Sequence, residues 1–404
     1  MLFDPARHEP LGDASWDEEH VRAAVRDLVA EATHGYDRAR ECWPLHPLDA
    51  GEDDDDHAGT THGIYFGAAG MLWALGRLER AGAAETSLGL HGAADSLHAA
   101  YLRFCHAPQE PQPGLWVGES GPLLVAETIA PGAADTAALL AAVRANQHNP
   151  ALDVLWGAPG TMLAAREMHR RTGDERWAEA WRESANAVFE EWRLDEELGC
   201  HLWTQLIGGR SRPLLGAAHG FAGSVLALAN GLHLLPPARR GEITSRASET
   251  ALATAATQNG LANWPAVAGS AIEGVEGTRT QWCHGAPGTV TSLVALPPDP
   301  ALDRILAAGG ELTWQAGPLA DRASLCHGTA GNGFAFLALF ARTGDELWLA
   351  RARSFAMHAL AQSAELRRRH GHGWFSLWTG DLGTAIYAWQ CIEGDPALPS
   401  LTAW

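Results

Sequence analysis

Apolar positions along the chain fall into two kinds of helical run. In one kind nearly every face is apolar: MLWALGRLER (71–80), TMLAAREMHR (161–170), SVLALANGLHLL (224–235) and FAFLALFARTG (334–344). Ala, Leu and Met dominate these runs, so helix is favoured and little is left to face water. They predict buried helices. The other kind carries its charges to one side: DEEHVRAAVRDLVAEA (17–32), ERWAEAWRESANAVFEEW (175–192) and ELWLARARSFAMHALAQSAELRRR (346–369). These predict outer helices that turn an apolar stripe inward. Two links between the kinds are nearly identical, Arg171-Thr-Gly-Asp174 and Arg342-Thr-Gly-Asp345. The Gly suits a left-handed residue just past a helix end, and the Asp suits the N-cap of the next helix. A buried helix therefore hands over to an outer one at each link.

The buried runs share a preface. Gly-x-x-Gly recurs at Gly67, Gly118, Gly157, Gly220, Gly285, Gly328 and Gly380, on average about 52 residues apart, and each opens an Ala/Leu-rich segment. That period accommodates two helices and their loops. Seven such units predict an all-α, α/α-toroid of seven inner and seven outer helices, a single domain over residues 1–404, with every glycine loop at one end of the inner ring. Wider spacings after Gly157 and Gly220 imply insertions, LDEELGCHLWTQLIGGRSRPL and NGLANWPAVAGSAIEGVEGTRT.

Composition narrows the partners. At 404 residues with 46% apolar content the chain can bury a large core, and its net charge of −19 opposes nucleic acid or an anionic membrane surface as a partner. The acidic run Glu52 to Asp56 reads as a solvated loop, with contact to a basic peptide segment as the alternative. No apolar stretch has transmembrane length, and the first residues show no signal-peptide pattern. Six scattered cysteines form no Cys-x-x-Cys and no disulfide framework, which fits a cytoplasmic setting.

Chemistry emerges when the seven loops are aligned on their first glycine. The two residues before it are Tyr65-Phe66, Trp116-Val117, Leu155-Trp156 and Trp378-Thr379 in four loops, but Ala218-His219, Cys283-His284 and Cys326-His327 in the fourth, fifth and sixth. Consecutive inner helices are neighbours, so these three loops converge at one mouth. Two cysteines and one imidazole leave a tetrahedral zinc one open position, the donor pattern of a catalytic site that acidifies an incoming thiol. Either His284 or His327 would serve as the imidazole by pattern, and His219 is a third candidate or a free acid/base. Arg279 and Asp153, close before their loops, are candidates for an orienting charge pair. Cys42, Cys105, Cys200 and Cys391 read as buried small apolar residues.

Through all seven repeats, and most specifically at WCHGAPG and CHGTAGN, the chain resembles the LanC lanthionine synthetase cyclases and the LanC-like proteins. The resemblance implies an α/α-toroid with Zn2+ held by Cys283, Cys326 and His327, with His219 as acid/base and Asp153 and Arg279 as further active-site residues. It implies Michael addition of a thiol to dehydroalanine or dehydrobutyrine. The thiol is a Cys of the same peptide in the cyclases and glutathione in the LanC-like branch. Peptide cyclisation is the first expectation, and addition of glutathione the alternative. In either case a separate dehydratase supplies the dehydrated peptide or protein. His284 stands where peptide cyclases usually carry Tyr, as in the LanC-like branch. Asp321, with Arg322 beside it, stands where glutathione-binding members carry Lys. Protein prenyltransferase β-subunits also use zinc to activate a thiol in an α/α-barrel, but with an Asp-x-Cys that neither Cys283 nor Cys326 has. A non-catalytic zinc-binding protein is the remaining alternative.

Overall fold

The computed structural model describes residues 2–49, 62–104, 112–270 and 279–404. The acidic run at 52–56, Cys105 and the end of the second insertion lie outside the described residues. Among them are seven inner helices, each following one glycine loop: α2 (Ala68–Arg80), α4 (Ser120–Ile129), α6 (Ala158–Thr172), α8 (Phe221–Asn230), α10 (Ala286–Leu293), α12 (Thr329–Thr343) and α14 (Asp381–Glu393). Seven outer helices alternate with them: α1 (Glu18–His34), α3 (Leu90–Phe104), α5 (Thr136–Ala145), α7 (Glu175–Glu190), α9 (Pro237–Thr254), α11 (Pro300–Ala316) and α13 (Glu346–His370). Each inner helix packs on the next, and α14 packs back on α2, so the ring closes. This is the expected α/α-toroid.

The inner helices are buried all round, as their composition requires. Phe334, Phe336, Leu337 and Leu339 of α12 are almost wholly shielded from water, each contributing about 1.5–3 kcal/mol of transfer free energy. The repeated links behave as expected. Gly173 and Gly344 are left-handed and donate back to His169 O and Phe340 O, while the side chains of Asp174 and Asp345 cap α7 and α13. The run 224–235 is less continuous than its composition suggests. Helix α8 stops at Asn230, the Trp181 ring fills the place a Cβ on Gly231 would take, and Leu232–Leu234 form a separate 3-10 turn.

The glycine loops carry a second level of order. The residue two before the first glycine, or its neighbour, donates its N–H to the equivalent carbonyl of an adjacent loop. Tyr65 donates to Trp116 O, Trp116 to Leu155 O, Val154 to Ala218 O and Ala218 to Cys283 O. Cys283 donates to Cys326 O, Cys326 to Trp378 O, and Trp378 to Tyr65 O, all at 2.8–3.4 Å. The mouth of the toroid is thus a closed circle of backbone hydrogen bonds, slipped by one residue only at Val154. The second glycine of each loop is the seat of this circle. A Cβ on it would stand 1.6–2.3 Å from the carbonyl oxygen six residues earlier, as with Gly331 and Leu325 O or Gly288 and Trp282 O. Only glycine admits that approach.

The first insertion forms two antiparallel hairpins rather than helix: β1 (Arg193–Asp195) with β2 (Cys200–Leu202), and β3 (Gln205–Ile207) with β4 (Arg210–Arg212). The described part of the second holds β6 (Leu261–Asn263), paired with β5 (Ala256–Gln258). The β3–β4 hairpin lies between the third and fourth loops, since Leu206 donates to Pro150 O and the chain runs on from β4 into the His219 loop. No described helix is long and apolar enough to cross a membrane.

Candidate active site at the mouth of the toroid

The circle fixes what each loop presents. Cys283 donates its N–H to Cys326 O at 3.0 Å, which ties the two cysteine loops edge to edge. One sulfur of each cysteine and one ring nitrogen of His327 lie within 4.8 Å of one another. A tetrahedral zinc with Zn–S near 2.3 Å and Zn–N near 2.0 Å would need ligand separations of about 3.5–3.8 Å, which this cluster accommodates. Two soft sulfurs and one imidazole suit zinc over magnesium or calcium. The two thiols shift in opposite directions: the bond from Cys326, and then the Gln281 amide, bring Cys283 down to about 7 against its burial, while the same pairing, then burial, pushes Cys326 well above its usual value. Burial, followed by Arg322, Arg7 and Arg279, lowers His327 to about 4 and leaves it neutral, the form that binds a metal.

The other expected residues gather nearby. His219 Nδ1 bonds Asp153 Oδ2 at 2.8 Å. Asp153 is fully buried, and its Oδ1 accepts from the N–H groups of Trp156 and Gly157 at 2.9 and 3.0 Å. The Asp153–Arg279 pair considered from the sequence does not form. Asp153 spends its charge on His219, and among the described residues it has no other ion pair. Arg279 instead raises the positive potential around Cys283, His284 and His327.

His284 is equivalent to His327 in the repeat but turns elsewhere. Its ring lies 6.2 Å from the His219 ring, and its buried Nδ1 has no partner among the described residues. Burial, then His219 and Arg279, lowers it to about 3, so it is neutral at pH 7. The substituted Lys position also resolves. Asp321 pairs with Arg369 at 3.1 Å, and of the charges acting on His327 that of its neighbour Arg322 is the largest.

Four neighbours were not evident from the sequence. Tyr65 hydrogen-bonds Cys326. It occupies the same aligned position as both cysteines, which was the available signal. Gln281 Nε2 donates to Cys283 Sγ at 2.8 Å. Arg7, near the start of the chain, donates to Gln281 Oε1 at 2.9 Å. Trp156 stacks on His219 with centroids 5.2 Å apart, and its carbonyl accepts from the side chains of Asn146 and Asn149.

A ring of seven helical pairs, with two cysteines and a histidine converging at its mouth beside a His–Asp pair, defines an α/α-toroid with a candidate metal centre. A sequence model of the lanthionine synthetase C-like proteins matches residues 59–402, and the chain belongs to that family. Glutathione S-transferase LANCL1 of Danio rerio is 34% identical over 119 residues, 28% of either chain. LanC-like protein GCL1 of Arabidopsis thaliana is 34% identical over 90 residues, 21% of either chain. The matched segments thus span about a quarter of these curated relatives. The solved structure of nisin cyclase superposes with a TM-score of 0.64, covering 96% of both chains at 14% identity, and so shares the fold.

Proposed function

We propose that this chain is a zinc-dependent enzyme that forms thioethers by adding a thiol to dehydroalanine or dehydrobutyrine residues. The observation that carries this reading is the closure of Cys283, Cys326 and His327 to within 4.8 Å, beside the His219–Asp153 pair. These three residues would hold the zinc. When bound, it would supply the Lewis acidity that turns an incoming thiol into a thiolate near neutral pH.

The protein's own groups do the rest. The substrate sulfur attacks Cβ of the dehydro residue, the Cα=Cβ electron pair passes to the enolate, and Cα then takes a proton. His219 would give that proton. Its Nδ1 is held by Asp153, which leaves Nε2 as the atom free to exchange. The proton lost by the thiol restores the balance. Arg279 contributes positive potential near the developing enolate, and neutral His284 lines the same space.

Either a Cys of the same peptide or glutathione can be the thiol. Cyclisation within a peptide produced by a separate dehydratase remains the first reading, and the family membership supports it. One observation favours the second. Arg7, Arg279 and Arg322 lie close enough to act on one another and on His327, a cationic rim suited to the carboxylates of a small anionic thiol. One experiment tests both. Purified protein is assayed for zinc, then given a dehydrated Cys-containing peptide with and without glutathione, and the product is read by mass spectrometry. Protected thiols without mass gain support cyclisation, and a gain of one glutathione supports the second reading. A protein that holds no zinc, or that forms neither product, would overturn the proposal.

A further inference from the structure

The stretch before α1 is stitched across the loops of the site. Glu9 donates its N–H to Pro318 O, Ala320 donates to Arg7 O, and Asn263 Nδ2 donates to Leu2 O. Glu9 Oε1 also receives bonds from His358 and from Gln362 Nε2, both on α13. This strap puts the Arg7 guanidinium on Gln281, and Gln281 on Cys283.

The order of those contacts has a chemical consequence. A guanidinium can only donate, so it must meet the amide at its oxygen. With Oε1 taken by Arg7, the amide has one orientation left, and its NH2 group faces the sulfur. A free glutamine could flip and set its oxygen against a thiolate. Gln281 is 6% exposed, so water does not substitute readily for either bond.

We propose that Arg7 and Gln281 form a relay that retains the metal: the N-terminal strap orients the Gln281 amide, and the amide holds the Cys283 sulfur as a ligand. Both are positioning residues, and the inference rests on the zinc reading above. Outer hydrogen-bond partners of metal ligands are typically worth about 10–100-fold in affinity. Removing the amide should cost that much. Removing Arg7 should cost less, because an unguided amide spends part of its time correctly turned. Arg7 acts only through Gln281, so its effect should vanish when Gln281 is gone.

The test is a double-mutant cycle on the full chain, with zinc affinity measured by competition with a chromophoric chelator. Cobalt-loaded samples add the thiolate-to-metal charge-transfer band as a second readout. Gln281→Met is expected to weaken zinc binding about 10–100-fold, Arg7→Met by a smaller factor, and the double variant no further than Gln281→Met alone. Arg7→Lys, which keeps one donor for Oε1, should recover most of the affinity lost in Arg7→Met. A wild type without zinc would remove the zinc reading, and the relay with it. A wild type that binds zinc, with Gln281→Met unchanged or with the two losses additive, would overturn the relay alone.

Discussion

Replacing Asp153 by Asn probes the proposed proton transfer with little change in shape. Asp153 accepts three bonds: His219 Nδ1 on Oδ2, and the Trp156 and Gly157 N–H groups on Oδ1. An asparagine with its carbonyl in place of Oδ1 keeps both backbone bonds, so the third loop stays built. Its NH2 then faces His219 Nδ1 as a donor. The imidazole must accept there and carry its proton on Nε2, so Nε2 no longer has the same proton to exchange, and the carboxylate beside the ring is gone. General acid catalysis contributes about 10²–10⁴ in rate, or about 3–5 kcal/mol of barrier, and that is the expected loss. Asp153→Ala would confuse the matter, since two buried N–H groups left without acceptors cost about 2–6 kcal/mol of stability. The assay is the rate of thioether formation by mass spectrometry, with zinc content measured on the same samples. A zinc-replete Asp153→Asn variant within about tenfold of the wild-type rate would refute the assignment of proton transfer to His219.

Three further predictions concern the stability of the fold. Gly331→Ala would set a methyl 1.6 Å from Leu325 O, beside the Cys326 loop, and should lower stability by about 1–3 kcal/mol or more along with zinc affinity. Gly241→Ala, in α9 with open space around its Cβ position, should raise stability by about 0.5–1 kcal/mol, and thermal melts that moved in the same direction would contradict the contact argument. Asp381 is held up at about 6, chiefly by burial and against bonds from Ser363 and Trp374. Its folded value lies above the ordinary 3.8, so the folded chain keeps a proton that the unfolded chain has lost, and stability falls as pH rises from about 4 to 6. The cost at neutral pH is about 3 kcal/mol. Asn keeps the Trp374 bond and donates to Ser363, so Asp381→Asn should flatten that part of the denaturation profile; an unchanged slope would refute the cause.

How much of this was legible in the sequence follows from which forces leave a periodic trace. The toroid was legible because each second glycine marks a place where a carbonyl sits on a Cα, and that demand recurs seven times with the helices behind it. The convergence of Cys283, Cys326, His327 and His219 was legible for the same reason: equal positions in neighbouring repeats become equal positions around one mouth. The repeat also made His284 and His327 equal, and there it ran out. The ring of His284 lies near that of His219 and the ring of His327 near the sulfurs, a difference that the shared loop position does not encode. Arg7 left no trace, because its place depends on a strap pinned by Glu9 to α13 some 350 residues away, which no local pattern encodes. Asp153 shows the intermediate case. Its importance was visible beside the third glycine loop, but its partner was not. A fully buried carboxylate takes the donor that the circle of loops brings to it, and that donor is His219, one loop away, rather than Arg279, two loops away. The repeats therefore decide which residues meet, while single contacts outside the repeat decide what each does on arrival.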